Sequence, residues 1–268
     1  MPSTPPNPGL LLPTASLCWR ELVRFYRQPS RVLGALGTPA VFWLLIGSGI
    51  GTSFRAAELP HAHGFLEYFF PGTLLLILLF TSIFCMMSTI EDRHQGFLQS
   101  VLVAPVSRAS LVLGKVLGGT LLALLQAFLF ALLAPALGLR LQLSQIILLA
   151  LVLSLIALAV TSLGFSVAWQ LDSTQGFHAV VNLFLIPMWL LSGALFPSSG
   201  ASSWLQWAMT LNPLTYAMAA IRQSLYWPDA GAALPSLRLS LLVLVLFTAV
   251  VLAAAVLLVR RPLVRPAE

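Results

Sequence analysis

Long apolar runs alternate with short polar interruptions along most of the chain. Six of them reach the ~20 residues that a helix needs to cross a ~30 Å hydrocarbon core. The pattern predicts spans at about 32–53, 69–90, 109–135, 143–168, 177–196 and 237–259. The runs are continuous in Leu, Ala and Val and lack the dyad alternation of an outer-membrane barrel, so helices are the expected form. Ahead of the first run, Ala15–Gln28 has a different pattern. Arg20, Arg24, Arg27 and Arg31 fall on one helical stripe, and Trp19, Leu22, Val23 and Tyr26 on another. Arginine on one side and aromatics on the other suit an amphipathic helix lying in the headgroup layer, ended by Pro29. A soluble cap helix is the alternative. Residues 1–14 read as a disordered, Pro-rich tail without the basic region of a cleaved signal peptide. Residues 15–268 then form one transmembrane domain.

The connection between the fifth and sixth spans is apolar yet broken by Pro197, Gly200, Pro213 and Pro228. Trp204–Leu211 and Leu214–Tyr226 are each too short to span. One reading is a re-entrant pair of half-helices, which requires protein or a water-filled cavity to cover the irregular backbone. The other is a pair of surface amphipathic helices held by Trp204, Trp207, Tyr226 and Trp227 as an aromatic belt.

Composition fixes the class. The chain of 268 residues is 59% hydrophobic and 8% charged, against about a quarter charged in an ordinary soluble domain. Such a chain has too little polar surface to cover itself in water. The net charge of +6 points to membrane orientation rather than nucleic acid, because the basic residues flank apolar runs. With the N-terminus inside, the cytosolic side receives Arg20, Arg24, Arg27, Arg31, Arg93, Arg108, Lys115, Arg260, Arg261 and Arg265. The other side receives Arg55, Arg140, Arg222 and Arg238. Ten against four, of 14 in all, predicts both termini in the cytosol. Cys18 and Cys85 imply neither a disulfide framework nor a metal site.

The chemistry that is missing narrows the function. There is no GxxxxGK[ST], so no P-loop is expected. HExxH and GxSxG are absent too. His61 and His63 lie on an outer loop with Glu58 and Glu67 near them, which reads as a wet loop rather than a metal centre. The stretches 32–53, 69–90 and 143–168 contain no Asp, Glu, Lys, Arg or His, whereas an ion-driven carrier usually needs such groups near the midplane. Lys115, near the start of the third span, is expected to snorkel to the interface. Asn182 and Gln126 are the buried polar candidates, expected to bond between helices. Gly47–Gly51 and Gly114–Gly118 are small-xxx-small matches that allow close helix approach. A membrane pathway without its own energy site must receive energy from another chain, through a cytosolic contact.

The stretch that could make this contact is 91–115, EDRHQGFLQSVLVAPVSRASLVLGK. Here the chain resembles the membrane subunit of type-2 ABC transporters, bacterial permeases that export drugs, lipids and polysaccharides. Members typically read E-R-E-x-G-T-L-E-x-L-L-x-x-P-V-S-R, then L-G-K. This sequence carries Glu91, Asp92, Arg93, Gly96, Leu98, Leu102, Pro105, Val106, Ser107 and Arg108, then Leu113, Gly114 and Lys115. Ser192-Gly193, Phe196-Pro197, Leu211 to Tyr216, Arg222, and Tyr68 with Pro71-Gly72 add to the likeness, which runs over nearly the whole chain.

The resemblance implies a homodimer of permease subunits in the bacterial inner membrane, with two ATP-binding cassette subunits beneath that hold ATP and Mg. This chain would bind no cofactor and perform no bond chemistry. The loop after the second span would be the coupling helix, with Glu91–Arg93, Gly96, Phe97, Leu98, Gln99, Val101, Leu102, Pro105 and Arg108 as the ATPase contact. The helix carrying Trp19, Arg20, Arg24 and Arg27 would lie at the same junction. Phe196, Pro197, Asn212, Pro213 and Tyr216 would line the outer gate. Phe97 and Gln99 replace the usual Thr and Glu, so a more apolar docking surface centred on Phe97, Leu98, Val101 and Leu102 is expected. The alternative for the whole chain is a stand-alone channel or secondary carrier for a hydrophobic or amphipathic solute.

Overall fold

The computed structural model describes residues 9–51, 64–227 and 234–260. Among these, all regular structure is helical. The order is α1 (Leu11–Tyr26), α2 (Pro29–Ile50), α3 (Phe65–His94), α4 (Phe97–Val103), α5 (Arg108–Ala131), α6 (Leu143–Gln170), α7 (Thr174–Trp189), α8 (Ser203–Leu211), α9 (Pro213–Tyr226) and α10 (Leu237–Arg260). Helices α2, α3, α5, α6, α7 and α10 are long and apolar enough to cross a membrane. They coincide with the six expected spans to within a few residues. Local chemistry sets the starts. Pro29 stands at the first turn of α2, where its missing N–H costs nothing. The Ser107 and Ser173 side chains accept from the Ser110 and Gly176 N–H groups, each at 3.0 Å. Gln142 and Gln145 close a capping box on α6.

Helix α3 is the axis of the bundle, buried along most of its length and packed on α2, α5, α6, α7 and α9. Its Thr81 hydroxyl donates to Gln126 Oε1 on α5 at 2.6 Å, which is the interhelical bond expected of Gln126. Asn182 differs: it is exposed on α7, between Val181 and the uncovered Leu183 and Phe184.

Helix α1 begins at Leu11, four residues before the sequence pattern places it, because Pro13 falls in the first turn, where proline is tolerated. It lies on α5. Its buried stripe is Thr14, Leu17, Glu21 and Phe25, while Trp19 and Tyr26 of the expected aromatic stripe are exposed. The small-residue pair on α5 explains the fit. A Cβ added at Gly114 would come within 2.6 Å of the Leu17 Cβ, and one at Gly118 within 2.8 Å of the Glu21 Cβ. Gly47 works likewise under Leu66, at 2.5 Å. Of the tail expected at 1–14, residues 11–14 are helical and residues 1–8 lie outside the described residues, as do the loop histidines His61 and His63.

Gly114→Val and Gly118→Val are therefore expected to lift α1 from α5, each at a cost of about 1–3 kcal/mol. Gly34→Ala, where nothing lies within 4 Å of the added carbon, leaves stability unchanged or slightly raised. Thermal unfolding in detergent, combined with the rate of thiol labelling at Cys18, separates the two outcomes.

Candidate functional site

The ionic groups of α1, α2, α3 and α5 converge at the end of the bundle where α3 gives way to α4. Lys115 sits about two helical turns inside α5 and is fully buried. Its Nζ donates to Glu21 Oε1 at 2.9 Å, Asp92 Oδ2 at 2.6 Å and Ser88 Oγ at 3.2 Å. That uses the three donors an ammonium has. Ser88 Oγ in turn donates to Glu21 Oε2 at 2.7 Å. Asp92, also fully buried, takes a bidentate pair from Arg20 at 2.9 and 2.6 Å and a further bond from Arg24 at 2.5 Å. Arg24 continues to Glu91 at 2.6 Å, and Arg31 on α2 closes the chain on the other Glu91 oxygen. The Asp92 hydrogen bond, chiefly, raises the Arg20 pKa above its ordinary value.

This geometry corrects several expectations. Lys115 does not snorkel, because two carboxylates meet it inside the protein. Asp92 is not available to a partner chain, because its oxygens are filled from within. Arg20 and Arg24 turn toward these carboxylates rather than toward headgroups, while Trp19, 68% exposed, and Arg27 remain on the open side. Arg93 is also committed. It donates to the Trp169 and Leu171 carbonyls at 2.5 and 3.1 Å and to Asp172 at 2.8 Å, at the C-terminus of α6. Arg108 does the same for α10, donating to the Val259 and Arg260 carbonyls at 3.2 and 3.0 Å.

Helix α4 hangs from this cluster. Gly96, with φ of 75°, turns the chain out of α3 in the left-handed region that glycine favours. The Phe97 ring then lies under the Arg20 guanidinium, 3.6 Å from Cζ to centroid. Leu98 points inward at 2% exposure, against the expectation that it would form part of an open face. Val101 and Leu102 are half-buried, Gln99 and Pro105 are exposed, and Val103 is 87% exposed. The open apolar surface is thus shifted toward the C-terminal half of α4.

A second polar cluster sits at the opposite end. Pro187 interrupts the α7 ladder, and the helix widens over Leu190–Ala194. Gly193 there has φ of 84°. Its carbonyl accepts from Arg222 Nη2 at 2.9 Å and Tyr68 OH at 3.2 Å, with the guanidinium 4.4 Å from the Tyr68 ring centroid. Trp189 Nε1 donates to Gly72 O at 2.9 Å, beside the close packing of Gly72 on Ala194. Asn212 caps α9 through Leu214 N at 3.0 Å and donates to Met188 O at 2.6 Å, a carbonyl close to the break at Pro187. Tyr216 reaches only back to Thr210 O at 3.0 Å. Phe196, Pro197 and Pro213 are half-buried.

Glu21 and Arg31 belong to the first cluster, and the hydrophobic pattern alone did not single them out for it. A signal exists for Glu21: it is the first acidic residue of the chain and falls on the 14, 17, 21, 25 stripe.

Six apolar spans, with buried charge concentrated at the helix ends, define a multi-pass membrane protein. The family model described as ABC-2 type transporter matches residues 14–226, from α1 through α9. The chain thus belongs to the ABC-2 type transporter family, as a membrane permease without an ATPase site of its own. Among relatives, the ycf38 protein of Cyanophora paradoxa, named as a transport permease, is 29% identical over 206 residues, covering 76% of this chain and 70% of that one. Its namesake in Porphyra purpurea is 25% identical over 213 residues, covering 77% and 72%. Family membership implies an ATP-binding partner.

Lys115→Met leaves Glu21 and Asp92 buried without their cation and is expected to cost about 3–5 kcal/mol. Combining it with Glu21→Gln should cost less than the two single changes together, by about 0.5–3 kcal/mol. Unfolding curves of the three variants in detergent check this; simple additivity would show that the groups do not act as a unit.

Proposed function

We propose that this chain is the pathway-forming subunit of an ATP-driven exporter for a hydrophobic or amphipathic cargo. It works as a homodimer in a bacterial inner membrane, with both termini in the cytosol and an ATP-binding cassette subunit seated on α4. One observation carries the reading. Helix α4 presents Val103 openly and Val101 and Leu102 in part, while a buried ionic cluster ties its root to α1, α2 and α5. A force applied at α4 is thereby delivered to three other helices at once. Rigid-body motion of this end would open a path between protomers.

Other observations support the parts. Lys115 and Arg222 are buried by internal partners, so neither reports on orientation. Without them the positive residues divide nine against three, still in favour of cytosolic termini. Asn182 lies exposed on α7 next to Leu183 and Phe184. An amide facing lipid is costly, and a second copy of the chain would cover it. Helix α9 is buried from Ala217 to Leu225, whereas α8 shows Trp204 and Trp207 to the outside. In this reading α9 is the re-entrant limb and α8 lies in the headgroup layer. The bend at Gly193, held by Arg222 and Tyr68, is the outer gate. Helix α1 lies at the inner headgroups with Trp19 outward.

Leu102→Asp and Val103→Asp should release the ATP-binding subunit during co-purification, while the permease stays inserted and folded. Co-purification at the wild-type level would remove α4 as the docking element.

A further inference from the structure

The polar clusters described above do not account for a cavity of about 440 Å³ at the α8–α9 end of the bundle, between the end of α5 and the start of α6. Phe128, Leu132, Pro135, Leu141, Ile146 and Leu149 are among its walls, and Arg140 is the one charged residue lining it. The volume falls in the range of about 300–1,000 Å³ typical of small-molecule sites. The cavity lies on a face that turns away from the protein. Leu117, Leu121, Leu125, Leu129 and Leu132 are exposed along α5 with near-helical spacing. Ile146 and Ile147 continue that surface on α6. In a multi-pass membrane protein a continuous leucine face of this kind meets acyl chains.

Arg140 is exposed, and no ion pair or hydrogen bond holds its guanidinium among the described residues. This sets it apart from Arg20, Arg24, Arg31, Arg93, Arg108 and Arg222, which are all engaged. No Asp or Glu lines the cavity, and the sequence has none between Asp92 and Asp172. An apolar slot open to lipid, with one uncommitted guanidinium where the spans end, is complementary to a chain with an anionic head. We infer that this cavity binds an anionic glycerophospholipid from the surrounding leaflet, with an acyl chain against Phe128, Leu132 and Leu149 and its phosphate on Arg140. Guanidinium suits a phosphate because its fork of donors matches the oxygens. The site is independent of the coupling proposed for α4 and involves none of its residues.

The test uses the full chain in nanodiscs of phosphatidylcholine containing a minor share of phosphatidylglycerol, followed by native mass spectrometry of the lipid that stays bound. Wild type should retain phosphatidylglycerol over phosphatidylcholine. Arg140→Gln should lower that preference about fivefold, the effect of one basic residue near an anionic headgroup, and Arg140→Lys should restore part of it. Arg238→Gln removes an exposed cation at the same end but outside the cavity, and should leave the preference intact. Glycerol phosphate without acyl chains should not compete. Equal retention of both lipids by wild type, an unchanged preference in Arg140→Gln, an equal loss in Arg238→Gln, or competition by glycerol phosphate would each overturn the assignment.

Discussion

Burying a lysine ammonium beside two carboxylates costs several kcal/mol per ion before any attraction is counted. Lys115, Glu21 and Asp92 meet that cost only because every partner is in place: three acceptors around the ammonium and a forked arginine on Asp92. The arrangement constrains the surrounding backbone. Helix α1 must lie close on α5, and Gly114 and Gly118 give it the room. Helix α3 must end where Asp92 reaches Arg20 and Arg24, and Gly96 must then turn the chain into α4. Removing one member of the cluster would leave its partner charges stranded in an apolar bundle rather than loosen a surface contact.

The opposite end follows a different logic. There the backbone itself is irregular, and buried donors satisfy it. Pro187 and the bend at Gly193 leave carbonyls without helical partners, and Arg222, Tyr68 and Asn212 supply them. One end is fixed by ion pairs between helices, the other by side chains bonded to an interrupted helix. In the proposed exporter the first suits a part that moves as a unit, and the second a part whose helix has a built-in break.

Most of the bundle was legible in the sequence, because span length and apolar continuity are imposed by the membrane itself. The six spans and the short helices after α7 follow from that constraint together with Pro197 and Pro213. The faces of α1 were less legible. Trp19, Leu22, Val23 and Tyr26 form a good apolar stripe, yet the buried stripe contains Glu21. Periodicity counts a buried acid as polar and has no means of seeing a lysine 94 positions away. Its position near a span end put Lys115 at the interface, and the family likeness put Asp92 on a docking surface; neither shows that the two meet inside the protein. Asn182 shows the converse: an amide within an apolar run looks buried until the helix is seen to have an uncovered side.

In the proposed exporter α1 and α4 move together because the ionic cluster joins them. Pulsed electron spin resonance tests it with nitroxides at positions 19 and 103, and at 103 and 207, in a chain whose Cys18 and Cys85 are replaced. The sample is the permease in nanodiscs with its ATP-binding subunit, measured with and without a non-hydrolysable ATP analogue. Joint motion gives one narrow 19–103 distance that nucleotide leaves unchanged, while the 103–207 distance shifts. A 19–103 distance that moves or splits on nucleotide binding would contradict it.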